Sequence, residues 1–214
     1  MKKAEDMVVN AELQERIVEA AKSLFLEKGI RAVTMDEVSR YLRISKRTLY
    51  QIIRDKEELI LLCYEAETRE QTRRIESEIA SGNDIMTIII HQLDYMLQVA
   101  DHISMSTIKD LWRFPRLQEA ARQRRMMLEE RFVSFFALGV EQGMFEADVD
   151  YRLLFRFINS GSDRLNHQME IFHYYSPREV FLNTGLMLLR GCATTAGREL
   201  LDELRRKVLY SEKV

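Results

Sequence analysis

"LRISKRTLYQII" occupies residues 42–53 and gathers Ser45, Lys46, Arg47, Thr48 and Tyr50 within six positions. Ser45 is a residue of the N-cap type, and a helix started by it turns Leu49 and either Ile52 or Ile53 inward while Lys46, Arg47, Thr48 and Tyr50 stay outside. The stretch therefore predicts a short helix whose first turn is both basic and rich in hydroxyls. A helix start already offers free backbone N–H groups and a partial positive charge, so the side chains add to a surface that favours anions.

The flanks read as helices too. Upstream, Thr34 followed three residues later by Glu37 has the spacing of a capping box and predicts a helix of two turns over "MDEVSRYL". Before it, "ELQERIVEAAKSLFLEKG" spaces Leu13, Ile17, Ala20, Ala21, Leu24 and Phe25 by threes and fours and ends at Gly29, which predicts a first helix of about four turns. Downstream, Asp55 and Glu58 repeat the capping-box spacing and open a long helix through "KEELILLCYEAETREQTRRIESEIA". Two short helices joined by a tight turn, the second beginning at Ser45, have the layout of a helix-turn-helix, in which the start of the second helix enters the DNA major groove. Lys46 and Arg47 are then within reach of guanine edges, and Thr48 and Tyr50 offer neutral donors to phosphate.

Composition agrees. Only 2 prolines and 8 glycines in 214 residues point to an all-α protein rather than a β-sandwich or parallel α/β fold. The net charge of −2 is unevenly distributed. Between residues 31 and 56, Arg31, Arg40, Arg43, Lys46, Arg47, Arg54 and Lys56 face only Asp36, Glu37 and Asp55. A local basic surface suits phosphate binding, and an ordinary solvated face has the same composition. Cys63 and Cys192 lie far apart without metal-site or redox spacing, as expected of buried thiols in a reducing cytoplasm. No apolar run approaches the roughly 20 residues that span a bilayer, and "MKKAEDMVVN" lacks the apolar core of a signal peptide, so a cytoplasmic protein without a membrane partner is expected.

Residues 34–50, "TMDEVSRYLRISKRTLY", together with Lys56 and Leu59, resemble the signature of the TetR (tetracycline-repressor-like) family of bacterial transcription regulators. Thr34, Val38, Ile44, Ser45, Thr48, Leu49 and Tyr50 fall in register with it. The resemblance implies that Thr34, Thr48, Tyr50 and Lys56 contact phosphate and that Ser45, Lys46 and Arg47 lie at the groove, Lys46 and Arg47 reading bases. The chain departs from the family pattern at Leu42 and Arg43, where Ala-Gly is common, and at Ile52 and Ile53. Arg43 either serves the DNA backbone or is solvated. A non-glycine residue in a left-handed turn costs on the order of 1 kcal/mol, so a differently shaped turn is expected.

Residues 1–56 are accordingly taken as the helix-turn-helix domain and residues 57–214 as a helical effector-binding and dimerisation domain, about nine to ten helices in all. Breaks at Gly82-Asn83, Pro115, Gly143, Pro177 and Gly191 to Gly197 predict helices over 84–100, 104–113, 115–142, 150–168, 177–192 and 197–210. The resemblance implies that this body binds a small effector and dimerises through its last long helices. Independently, one helix-turn-helix contacts one half-site, so affinity calls for a dimer with recognition helices about 34 Å apart. Phe157, Ile158, Gly161 and Leu165, with Phe181, Thr184, Gly185 and Leu188, form the expected dimer faces; burial of the same faces within one subunit is the alternative. His91, Tyr95, Trp112, Met127 and Phe135 are candidates for an effector pocket, in a Met- and aromatic-rich region that would equally make an ordinary core.

An enzyme is not expected. The chain has no GxGxxG, P-loop, HExxH or GxSxG, and His91, His102, His167 and His173 lack metal-site spacing, so neither cofactor nor metal is expected. The expected partners are a palindromic double-stranded DNA operator, a second copy of the chain and a small-molecule effector that releases a repressor. A helical adaptor, whose basic unit meets a protein partner or binds DNA non-specifically, is the alternative.

Overall fold

The computed structural model describes residues 2–102, 110–111, 113–160, 171 and 174–210. Among these the chain is helical: α1 (Lys2–Lys28), α2 (Met35–Tyr41), α3 (Lys46–Ile52), α4 (Lys56–Ala80), α5 (Ile85–His102), α6 (Pro115–Glu141), α7 (Tyr151–Ser160), α8 (Pro177–Cys192) and α9 (Thr195–Tyr210). None of these helices is long and apolar enough to cross a membrane. The predicted boundaries hold within about two residues for α5, α6, α8 and α9. α1 differs: it spans 27 residues where four turns were expected. "KKAEDMVVNA" contains no glycine or proline to stop a helix, although Val9, Asn10, Ala11 and Glu12 are exposed and contribute no inward stripe. Most of the predicted 104–113 helix, and the 161–168 end of the 150–168 helix, lie outside the described residues.

The chain forms two compact units. Met1–Arg73 and His102–Arg122 make the first, Arg74–Asp101 and Gln123–Val214 the second. The first closes around Ile17, Ala21 and Leu24 of α1, Val38 of α2, Leu49 of α3, Ile53 just after it, Leu59, Ile60 and Cys63 of α4 and Leu117 of α6. Each large apolar side chain fully buried there is worth about 1.5–3 kcal/mol relative to exposure. The inward residue left open between Ile52 and Ile53 is Ile53, which is fully buried from the C-cap position while Ile52 is half-buried. The Cys63 thiol, which donates to the Val18 carbonyl, is pushed up to about 12 by burial.

In the second unit Ile85, Met86, Ile88 and Ile89 of α5 pack with Phe136 of α6, Phe145, Tyr151 of α7 and Leu201 of α9. Phe136 stacks on Tyr151, centroids 4.8 Å apart, and meets Phe145 edge-on. Gly139 is required beneath that cluster, because a Cβ there would lie 2.6 Å from the Phe145 ring. The loop after α6 is tied to the turn after α8: the Glu146 N–H donates to the Cys192 carbonyl at 2.9 Å and the Thr194 N–H to Met144 at 3.1 Å.

Candidate nucleic-acid interface and ligand cavity

The helix-turn-helix is built by its caps. Thr34 is extended (φ −108°, ψ 158°) and its hydroxyl accepts the Glu37 N–H at 3.2 Å. The Thr34 N–H is a lesser partner of the Glu37 carboxylate, whose main hydrogen bond is with Lys28 at 2.7 Å. That contact holds the Glu37 carboxyl below its ordinary value and lifts the Lys28 ammonium above its own. At the other end of α2 the Arg43 N–H donates to Arg40 and the Ile44 N–H to Ser39, the two bonds of a Schellman motif. The motif requires a left-handed residue at its centre. Arg43 supplies it at φ 55°, so the glycine-type turn is kept and the expectation of a different turn is corrected. The physical reason lies on either side: Leu42 and Ile44 both pack against the core, which fixes the turn and sends the Arg43 side chain into solvent.

Ser45 then starts α3, its Oγ accepting the Thr48 N–H at 3.0 Å and sharing a 2.7 Å hydrogen bond with the Thr48 hydroxyl. Ser45 and Thr48 thus help to build the helix start as well as lining it. Lys46, Arg47 and Tyr50 are exposed on the outward face. Lys46 is engaged by Asp36 of α2 at 2.5 Å, whereas Arg47 has neither ion pair nor hydrogen bond among the described residues. Lys56 is engaged too: its ammonium donates to the Val33 carbonyl at 2.5 Å and approaches that of Arg31 at 3.5 Å, and burial lowers its pKa. It braces the chain entering α2 immediately before Thr34. Asp36, Lys28 and the bracing role of Lys56 were not foreseen, since a sequence shows acids and bases but not which of them meet. The second capping box is shifted as well, with Asp55 accepting the Glu58 N–H at 2.7 Å while Glu58 reaches back to the Arg54 N–H.

The second unit holds a cavity of about 280 Å³ lined by α5, α6, α7 and α8. Leu97, Phe136 and Cys192, all buried, lie among its walls, with Met96, Phe132, Leu154 and Leu182. Ile158, Thr184, Gly185 and Leu188, expected at a dimer face, also line it. Phe157 is 68% exposed, Gly161 and Leu165 lie outside the described residues, and so does the Phe181 side chain. Leu153 and Met187, not singled out from the sequence, are exposed apolar residues on α7 and α8; the i, i+4 spacing of Leu153 and Phe157 is the signal that marks them.

None of the four described residues among the expected pocket candidates, His91, Tyr95, Met127 and Phe135, lines this cavity. His91 is exposed and shares a 2.6 Å hydrogen bond with Glu78, Tyr95 lies under the Arg74 guanidinium, and Met127 is 71% exposed. Phe135 is half-buried against the edge of Phe136, and Trp112 lies outside the described residues. Among the described residues no cluster of His, Cys, Asp or Glu has the makings of a metal site.

The model of the bacterial regulatory proteins of the tetR family matches residues 17–63. The Transposon Tn10 TetC protein of Escherichia coli is 30% identical over 90 residues, 39% of this chain and 44% of that protein, so the chain spans less than half the length of this curated relative. Two solved structures share the fold. One is a protein of Saccharomonospora viridis described as a transcriptional regulator in complex with choline, with a TM-score of 0.59 and 16% identity over 94% of this chain and 97% of that one. The other is a gamma-butyrolactone receptor (ArpA-like protein), with a TM-score of 0.56 and 16% identity over 92% and 99%. At such identities the likeness is one of fold, and the match over residues 17–63 coincides with the helices and turn just described, so this segment carries a domain of the kind found in the tetR family of bacterial regulatory proteins.

Proposed function

We propose that the chain is a dimeric, sequence-specific DNA-binding transcriptional regulator, a repressor released from a palindromic operator when a small molecule occupies the second unit. The observation that carries this is the exposed face of α3, where Arg47 stands unpaired among the described residues beside Lys46 and Tyr50 on a helix fixed by Ser45 and the Schellman turn. Arg47 is the base reader, with Lys46 joining it once DNA phosphates and bases displace Asp36. Thr34, Arg43, Thr48 and Tyr50 serve the phosphate backbone. Lys56 acts by holding the start of α2 in place and turns its remaining N–H to phosphate.

Dimerisation uses the apolar side chains left exposed on α7 and α8, Leu153, Phe157, Ile158 and Met187. Large apolar groups clustered on a surface mark an interaction site. Release requires that the effector bind the non-operator state better than the operator-bound one. The relatives that contain choline or receive a butyrolactone show what this fold accommodates elsewhere, and they support an effector here.

The test is selection of random duplexes on the purified protein at about 150 mM salt, near physiological ionic strength, followed by sequencing. The expected result is a palindromic motif, with Arg47→Ala relaxing preference within each half-site at a cost of about 1–3 kcal/mol. A pool without any motif, from folded protein, would displace this function in favour of a helical adaptor.

A further inference from the structure

Resting on the assignment of the second unit as the receiving part, we propose that its cavity takes an uncharged ligand with a hydrocarbon body of about ten to twelve carbons and a single hydroxyl at its outer end, a medium-chain alcohol in chemical class.

Size comes from volume. A cavity of about 150 Å³ holds a benzene, and this one is about 280 Å³, close to twice that. Shape comes from the walls. Residues of four helices line the space, with the buried Leu97, Phe136 and Cys192 at its inner end and the exposed Ile158 and Thr184 on its open side, so it is a pocket open on one side and deeper than a helix face.

Charge is decided by what the lining lacks. None of the described lining residues is ionised or basic, and an unpaired charge taken from water into such surroundings costs several kcal/mol. The Cys192 thiol stays protonated, because burial raises its pKa. A quaternary ammonium would need aromatic faces in place of a carboxylate, but Phe136 already has Tyr151 stacked on it and Phe132 packs against both Phe136 and Phe155. A choline-like cation is therefore a poor match.

The hydroxyl follows from Thr184. Its Oγ1 donates to the Val180 carbonyl at 2.6 Å, so its proton is committed and only the oxygen lone pairs remain. Thr184 is exposed as well as lining the cavity, which places its side chain at the mouth. A ligand O–H at the mouth, with its chain directed toward Leu97 and Phe136, satisfies both ends.

The experiment is calorimetric titration of the full-length protein with 1-decanol and, separately, with choline. One decanol per chain and no choline binding are expected. Gly185→Leu should abolish decanol binding by filling the space: a Cβ at Gly185 meets nothing closer than Leu93 at 3.9 Å, and leucine is the better helix former, so the variant keeps its fold. Thr184→Val should weaken decanol roughly five-fold, the worth of one neutral hydrogen bond. Absence of decanol binding, saturation by choline, or wild-type decanol affinity in Gly185→Leu would overturn the proposal. Retention of a selected duplex by the same samples separates the two levels of inference. Protein that holds the duplex but ignores decanol overturns the ligand class and leaves the regulator standing; protein that binds decanol but no duplex does the reverse.

Discussion

Leu49 and Leu154 occupy equivalent positions in the two units. Each is the fourth residue of its helix, and each donates its N–H to the carbonyl of the N-cap, Ser45 at 3.1 Å and Asp150 at 2.9 Å. The caps also match in kind, with Ser45 accepting the Thr48 N–H and Asp150 accepting the Leu153 N–H. Their surroundings differ. Leu49 is fully enclosed by side chains of the first unit, whereas Leu154 looks into the cavity of the second. The same local grammar thus produces a closed core that holds the exposed face of α3 fixed and a core with room left in it. Close-packed interiors transmit shape and resist change, while a cavity lined by apolar chains can exchange one occupant for another.

The largest expected effect tests that contrast directly. Leu49→Ala should cost about 2–5 kcal/mol, because the closed first unit cannot relax around the void. Leu154→Ala should cost less, about 2 kcal/mol or under, since it enlarges a space that already exists. Denaturant melts of both variants decide it, and equal losses would break the comparison. The caps come next: Ser45→Ala and Asp150→Ala should each cost about 1 kcal/mol, but only Ser45→Ala should weaken duplex binding, which a binding titration alongside the melts would show.

Backbone strain sharpens the comparison further. The first unit uses Arg43 at φ 55° beside Gly29 at φ 81°, whereas the left-handed residues described in the second are glycines, Gly82 and Gly143, at φ 79° and 73°. Gly82→Ala should cost about 1 kcal/mol from backbone conformation alone, as no atom lies within 4 Å of the added Cβ. Arg43→Gly should change stability by less than about 1 kcal/mol, relief of strain being offset by the greater freedom of glycine in the unfolded chain. It should nevertheless reduce the salt slope of DNA binding if Arg43 touches phosphate.

The smallest effect is one of pH. Asp84, which accepts from the Thr87 hydroxyl and N–H at the start of α5, and Asp55, which accepts from the Glu58 N–H at the start of α4, both have carboxyls held below their ordinary value of 3.8 by those hydrogen bonds. A lowered folded-state pKa stabilises the fold above the ordinary value, and that contribution is lost as pH falls through the folded one. Stability should therefore decline below about pH 4. Asp84→Asn, which keeps a cap of similar quality, should flatten that decline in an acid titration followed by circular dichroism.

Much of the first unit could be read from its sequence because its information is local. Thr34, Ser45 and Asp55 act on N–H groups three residues away, and the inward spacing of Ile17, Ala21 and Leu24 is a property of one helix. The pocket expectations had no such support. His91 and Tyr95 sit one helical turn apart and look like a pair in sequence, yet α5 presents them to Glu78 and Arg74 rather than to the cavity. Met96 and Leu97, the next two residues, are the ones that line it. A shift of one residue rotates a helix face by about 100°, and periodicity alone does not say which of several faces meets a void.

The sequence by itself determined the all-helical class, the helix-turn-helix with its caps, the outward placement of Arg47 and Tyr50, and the resemblance of that segment to a known family, since each depends on side chains acting within a turn or two of their own position. Only the tertiary structure decided that Lys46 is held by Asp36 and Lys56 by the carbonyls before Thr34, that Arg43 keeps a glycine-type turn because Leu42 and Ile44 are anchored, and where α5, α6, α7 and α8 leave space between them. Ion-pair choice and cavity position depend on distances between elements remote in sequence, and those distances are fixed when helices pack against one another and not before.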